Sequence, residues 1–228
     1  MKTILILLFC TIYSFIFSQV DLQTVSVYPQ NDTIFGIDVS HYQGKIDFSK
    51  IDSTIKFVII KVSEGNKIID SKFDYNWNSS NLIKGGYHFF RPQISGKSQA
   101  LLYLSKIKLD SGNIRPIIDV EHTRFWNKKR NRLVGIKNLK EMIKVIRDST
   151  CLEPIIYTGG FFWDHYILPY YKDKHTFWVA DYRKKKSPKV PKDSDYIMWQ
   201  YTCRGKVNGI KGRVDKNMCI DLREILIY

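Results

Sequence analysis

Two carboxylates two residues apart, Asp119 and Glu121, close the apolar run Ile117-Ile118-Asp119-Val120-Glu121. If that run is a strand, period two puts both acids on one face, their Cα atoms about 6–7 Å apart. Carboxylates on a buried strand are costly unless paired or working. Crowding and partial burial push at least one pKa up. A protonated acid beside an ionised partner is what cleavage of a glycosidic bond needs. The bland alternative is a pair of loop acids making salt bridges past the strand end. Asp38 closes an earlier apolar run, Phe35-Gly36-Ile37-Asp38-Val39, and Asp215 lies near the C-terminus. Each alone reads equally well as a turn or capping acid. Aromatic and polar residues recur at the ends of the other apolar runs: Glu64, Tyr87, His88, Tyr157, Trp178, Asp181 and Gln200. Rings beside polar groups suit sugar faces, although inward aromatics also fill cores. His88 reads as a substrate contact or as a core hydrogen-bonding residue.

Seven runs would carry these residues: 35–39, 57–62, 86–90, 114–120, 154–157, 176–180 and 196–201, with a weaker one at 214–220. They are short, rich in Ile, Val, Phe and Tyr, and bounded by turn residues, as buried parallel strands are. Apolar spacing predicts helices over 73–82, 97–109 and 135–150. Alternation of strand and helix argues for α/β architecture. About eight strands, with less helix between the later ones, predict a single TIM-like β/α barrel with helices missing in the second half. Its chemistry belongs at the C-terminal strand ends. An open doubly wound sheet is the alternative, but no G-x-G-x-x-G follows the first run, so a dinucleotide site has no support.

The chain has 228 residues, 44% hydrophobic and 25% charged. Those fractions exclude a disordered chain, a collagen-like repeat and a polytopic membrane protein. Residues 1–18 read as a signal peptide: Lys2, an apolar run from Ile4 to Phe17, and Ser18 before a cleavage point. The run is short for a membrane span, although a retained N-terminal anchor is the alternative. Residues 19–33 form a polar leader, and 34–228 the domain. The expected location is exported, periplasmic or extracellular, with no stable membrane span after cleavage.

Export makes a disulfide plausible among Cys151, Cys203 and Cys219. Cys203 and Cys219 flank a Gly-rich stretch that can fold back and are the candidate pair, leaving Cys151 as a buried thiol. The formal charge of +14 favours an anionic partner. Basic runs at Lys128-Lys129-Arg130 with Arg132, and at Arg183 to Lys186, follow the fourth and sixth strands. They either steer an anionic polymer or form solvated loops. Export and the acids at the proposed site disfavour nucleic acid.

The stretch Phe35-Gly36-Ile37-Asp38-Val39-Ser40-His41-Tyr42-Gln43-Gly44 resembles the opening motif of family 25 glycoside hydrolases, lysozymes of the muramidase type. The resemblance continues through Lys61-Val62-Ser63-Glu64-Gly65, Gly86-Tyr87-His88-Phe89, Ile118-Asp119-Val120-Glu121, Trp178-Val179-Ala180 and Trp199-Gln200-Tyr201 to Val214-Asp215-Lys216-Asn217. It implies a β/α barrel that hydrolyses the β-1,4 bond between N-acetylmuramic acid and N-acetylglucosamine in peptidoglycan. By position, Glu121 matches the general acid, Asp119 its partner, and Asp38 and Asp215 the further cleft acids. No metal or organic cofactor is implied, the partner is the peptidoglycan glycan strand, and a monomer is expected. The alternatives are a non-catalytic wall-binding module and a glycosidase on another N-acetylated glycan such as chitin.

Overall fold

The structure, a computed structural model, describes residues 33–183 and 185–228. The expected signal peptide and all but the last residue of the expected leader lie outside the described residues, as does Lys184. Thr33–Tyr228 forms one unit by its contacts.

The apolar runs become strands: β1 (Ile34–Val39), β2 (Ile55–Glu64), β3 (Ile68–Ile69), β4 (Ile83–Phe89), β5 (Ile117–Asp119), β6 (Ile155–Thr158), β7 (Thr176–Ala180), β8 (Tyr196–Gly205) and β9 (Val214–Cys219). Their order is β1-β9-β8-β7-β6-β5-β4-β2-β3, and a further β1–β2 pairing closes eight of them into a barrel. The two-residue β3 pairs only with β2 and stands outside the ring.

Most neighbours in the ring are parallel, but β9 is antiparallel to both β8 and β1. The reversal of β9 has a simple reason. Only residues 206–213 separate β8 from β9, whereas a parallel return needs a crossover of about a dozen residues or more. A short connection makes a hairpin.

Three helices cover the early strands: α1 (Phe73–Ser79), α2 (Gly96–Leu104) and α3 (Lys129–Thr150). The expected helix at 97–109 stops at Leu104, and that at 73–82 stops at Ser79 before β4. The expected helix at 135–150 instead begins earlier, at Lys129. Between β6 and β7 lie only the short turns Gly160–Phe162 and Trp163–Ile167. Among the described residues no α-helix stands between β7 and β8 or between β8 and β9, so the second half is thin in helix, as expected. Among the described residues no helix is long and apolar enough to cross a membrane.

Strand parity separates two apolar layers. Ile37, Val39, Val58, Ile60, Val62, Ile118, Ile156 and Val179 point outward and pack with Ala100, Tyr103, Leu139, Ile143 and Ile146 of the helices. Phe57, Ile59, Ile117, Ile155, Trp178 and Met198 point inward and fill the barrel. Gly36 is obligatory in that filling, because a Cβ there would lie 2.4 Å from the Phe57 ring. Gly96 lets α2 approach α3, since a Cβ there would lie 1.9 Å from the Asn138 carbonyl oxygen.

The disulfide expectation is overturned. Cys203 is exposed, Cys219 is buried, and both are free. Cys219 stands opposite Met198, five residues before Cys203 along β8. That offset is about 15 Å of strand, far beyond the ~7 Å that a bridge spans. Cys151 is not a buried thiol either. It is exposed at the end of α3, in the left-handed conformation with φ 59°.

Candidate active site

The inward parity that fills the barrel continues past its apolar layer into polar residues. On β5, Asp119 follows Ile117. On β1, Asp38 follows Gly36. On β2, Lys61 follows Ile59, and on β8, Gln200 follows Met198. Asp38 is the register partner of Asp215 across β1 and β9, and Asp119 that of Tyr157 across β5 and β6. These side chains meet in a cleft of about 320 Å³ lined by Asp38, Asp119, Glu121 and Asp215, with Tyr87, Tyr157, Trp178, Tyr182 and Gln200 as its walls.

A hydrogen-bonded network fixes Asp38. Its Oδ2 accepts from Gln200 Nε2 at 2.7 Å and from Asn217 Nδ2 at 2.8 Å. The indole Nε1 of Trp178, which can only donate, gives its proton to Asn217 Oδ1 at 2.9 Å. That fixes which end of the Asn217 amide faces Asp38. Tyr157 donates to Gln200 Oε1 at 2.7 Å, and Tyr182 donates to the same oxygen. Trp178, Asn217, Asp38, Gln200 and Tyr157 are thus one buried chain of partners, the kind of network that specifies a single geometry.

All four carboxyls sit above the ordinary carboxylate range. For Asp38 the causes are burial and then the charge of Asp215. For Asp119 they are burial, then Glu121 and Asp38. Glu121 is raised by burial and then by Asp215, and Asp215 by burial. The protons belong to the coupled group rather than to single residues. Asp119 is the most enclosed of the central pair, and its Oδ1 is buried without a hydrogen-bond partner among the described residues. Glu121, half-buried, is anchored through its backbone: Trp126 Nε1 donates to the Glu121 carbonyl at 3.1 Å, and Arg132 Nε donates to the Trp126 carbonyl at 2.9 Å.

One wall carries an ion triad that sequence reading did not assemble. Lys61 Nζ donates to Glu64 Oε2 at 2.6 Å, and Arg91 Nε donates to Glu64 Oε1 at 2.9 Å. Both cations lie over the Phe89 ring, at 5.1 and 4.8 Å from its centroid. Burial works to raise the Glu64 pKa, but Lys61 and Arg91 outweigh it and hold Glu64 below its usual value. Glu64 does line the cleft, as a fixed anion between two cations. Lys61 sits on the inward parity of β2 and Arg91 shortly after β4 ends, which is the signal that could have found them. Tyr42, 81% exposed, and Gln43 stand at the rim.

Two expected site residues lie elsewhere. His88 has outward parity on β4. It is fully buried between Ser63 Oγ (2.8 Å) and Gln99 Oε1 (3.2 Å), and burial pushes its pKa down to about 4. It is a core residue under α2. Asp181 points into its own loop, where it accepts from Arg183 Nε at 2.8 Å and from the Lys189 backbone N–H at 2.6 Å. Arg183 above all holds its pKa at about 2. Among the described residues no group of three or more His, Cys, Asp or Glu side chains is arranged to hold a metal ion.

The described cleft can perform acid–base chemistry on a ligand with hydroxyl and amide groups. Comparison with known proteins agrees in kind. The family model "Glycosyl hydrolases family 25" matches residues 37–210. The chain is 35% identical over 202 residues to the uncharacterized protein YegX of Escherichia coli K12, covering 83% of this chain and 71% of that one. It is 32% identical over 200 residues to lysozyme M1 of Streptomyces globisporus, covering 80% of this chain and 66% of that one. Among solved structures, a family 25 glycosyl hydrolase from Bacillus anthracis superposes with a TM-score of 0.73 at 30% identity, covering 86% of this chain and 93% of the other.

Proposed function

This chain belongs to glycosyl hydrolases family 25 and is a glycoside hydrolase, and from that premise we propose that it is an exported lysozyme. Its substrate is the β-1,4 bond between N-acetylmuramic acid and N-acetylglucosamine in peptidoglycan. In this reading residues 1–18 are the export signal, 19–33 a leader and 34–228 the catalytic domain. The observation that carries the reading is the convergence of Asp38, Asp119, Glu121 and Asp215 on one cleft, with Asp119 Oδ1 buried and unpartnered.

Glu121 is the general acid. Burial and then the charge of Asp215 raise its pKa, which favours the protonated form, and that proton passes to the glycosidic oxygen as the bond to C1 breaks. Positive charge then develops on the sugar ring, facing the acidic cleft. The substrate's own acetamido oxygen closes on C1, while Asp119 Oδ1 accepts the acetamido N–H and stabilises the cation. Glu121, now ionised, takes a proton from water as the water opens the ring, and the anomeric configuration is retained. Asp38 and Asp215 line the same cleft and share in its coupled titration. Tyr87, Tyr157, Trp178 and Gln200 contact the sugars.

The test is digestion of purified sacculi by the mature chain beside Glu121→Gln, with product ends identified by mass spectrometry. Wild type should release fragments ending in reducing N-acetylmuramic acid, and the variant should lose about 10²–10⁴-fold in rate. A folded wild type that binds sacculi but releases no reducing ends refutes the enzyme assignment for this polymer and favours a wall-binding module.

A further inference from the structure

Beside the cleft, and sharing Arg91 with it, runs a second open groove of about 630 Å³ between the loops that follow β4 and β5. Its lining includes Arg91, Thr123, Arg124, Phe125, Lys128 and Asn131, and no acid. Arg91 is paired with Glu64, whereas Arg124 and Lys128 make no ion pair among the described residues. The local charge is unrelieved on the helical side too: α3 begins beside the groove with no acid in its first turn. Arg124 and Lys128 are exposed, so the groove presents two cations to solvent beside a helix N-terminus, where the dipole favours an anion. The Thr123 hydroxyl is buried without a partner among the described residues.

The groove is built rather than loose. Asn131 Nδ2 donates to the Phe125 carbonyl at 3.0 Å, and the Asn131 N–H to the Lys128 carbonyl at 2.9 Å. The same loop holds Trp126, whose indole is bonded to the Glu121 carbonyl. The spacing between groove and general acid is therefore fixed by the chain and by hydrogen bonds.

We infer that this groove is a subsite for the peptide stem of the substrate, binding stem carboxylates at Arg124 and Lys128 while Phe125 packs on the stem's apolar atoms. The inference rests on the lysozyme reading above and adds what that reading lacks, a determinant that distinguishes glycan with peptide from bare glycan. Muramic acid bears its stem beside the scissile bond, so an anion-binding groove continuous with the cleft is placed to receive it. Cation pairs with carboxylates at such an exposed site weaken with salt.

The experiment is calorimetric titration of the full chain carrying Glu121→Gln, which holds ligand without turnover. The ligands are disaccharide-peptide muropeptides and the same disaccharides stripped of peptide by an amidase. The stem-bearing ligand should bind about tenfold tighter at low salt, a difference of ~1.4 kcal/mol. Adding Arg124→Ala with Lys128→Ala should erase that advantage and leave the stripped ligand's affinity unchanged. Arg124→Lys should retain most of it. Equal loss of affinity for both ligands, or no loss for either, overturns the inference. Displacement of the stem ligand by glycerol-phosphate oligomers, with the same dependence on Arg124 and Lys128, reassigns the groove to a phosphate polymer and also overturns it. Failure of the lysozyme reading shows separately, as wild type that releases no reducing ends while stem-dependent binding persists.

Discussion

Replacing Asp38 with Asn should stabilise the fold at neutral pH while costing activity. Asp38 is 6% exposed, its carboxyl opposes Asp215 across the β1–β9 ladder, and burial followed by that charge raises its pKa. A raised folded pKa means that the folded state binds the proton more tightly than the unfolded chain. The stabilisation is fully present below pH ~4 and is lost as pH rises through the folded value. Asn keeps an oxygen to accept from Gln200 and Asn217 and turns its NH₂ towards Asp215, so the network survives while one negative charge disappears. Burial and then Asp215 carry the Asp38 pKa from 3.8 up to about 8, so removing the charge should be worth on the order of 4 kcal/mol at neutral pH, or on the order of 10 °C in Tm for a domain of this size. Thermal melts of both proteins between pH 4 and 9 read the effect. The variant's advantage should be absent near pH 4 and open as pH rises, while release of reducing ends falls. A variant that melts below wild type at pH 8, or an advantage independent of pH, would show that the Asp38 carboxyl is better stabilised by its two amide donors than opposed by burial and Asp215.

Three further outcomes follow from the geometry. Gly96→Ala should destabilise by roughly 1–3 kcal/mol in urea titration, because its methyl would overlap the Asn138 carbonyl and force α2 away from α3; an unchanged midpoint would mean the helices separate freely. Reductant, or Cys203→Ser, should shift Tm by less than about 1 °C, since no bridge is present among the described residues; a disulfide closing a loop of about 15 residues would contribute about 3 kcal/mol, several degrees by the same conversion. Asp181→Asn should melt below wild type at pH 7 and keep full activity. Because Arg183 and its neighbours hold the Asp181 pKa at about 2, its contribution is present above pH ~4 and is lost as pH falls towards 2, so the difference should close over that window; a loss of activity with no loss of stability would return Asp181 to the site.

What was legible in the sequence and what was not divide along a physical line. Apolar runs bounded by turn residues mark strands whatever their surroundings, so the barrel could be read locally. Parallel strands buried on both faces carry no polar side to mark their inside, however. The acids supply that mark indirectly: Asp119 counts back through Ile117 to the barrel interior, and Asp38 through Gly36. On β4 the neighbours Tyr87 and His88 look equally chemical, yet one residue of register sends Tyr87 into the cleft and His88 beneath α2 to meet Gln99. Asp181 fails on the same count: it lies one residue past the end of β7 on the outward parity of Val179, whereas Asp119 ends β5 on the inward parity of Ile117, and Arg183, two residues on, holds it in its own loop. The direction of β9 depends on the length of a connection rather than on any residue within the strand. Nor does a fold-back decide which cysteines meet: the register of the β8–β9 hairpin sets Cys219 opposite Met198 and leaves Cys203 farther along β8. The Lys61–Glu64–Arg91 triad joins residues from β2 and from beyond β4, and only the closed sheet makes them neighbours. The cleft acids could be read from the ends of their own apolar runs because burial makes an isolated acid conspicuous. The cations that flank them could not, because a lysine or an arginine looks the same on the surface as in the wall of a cleft.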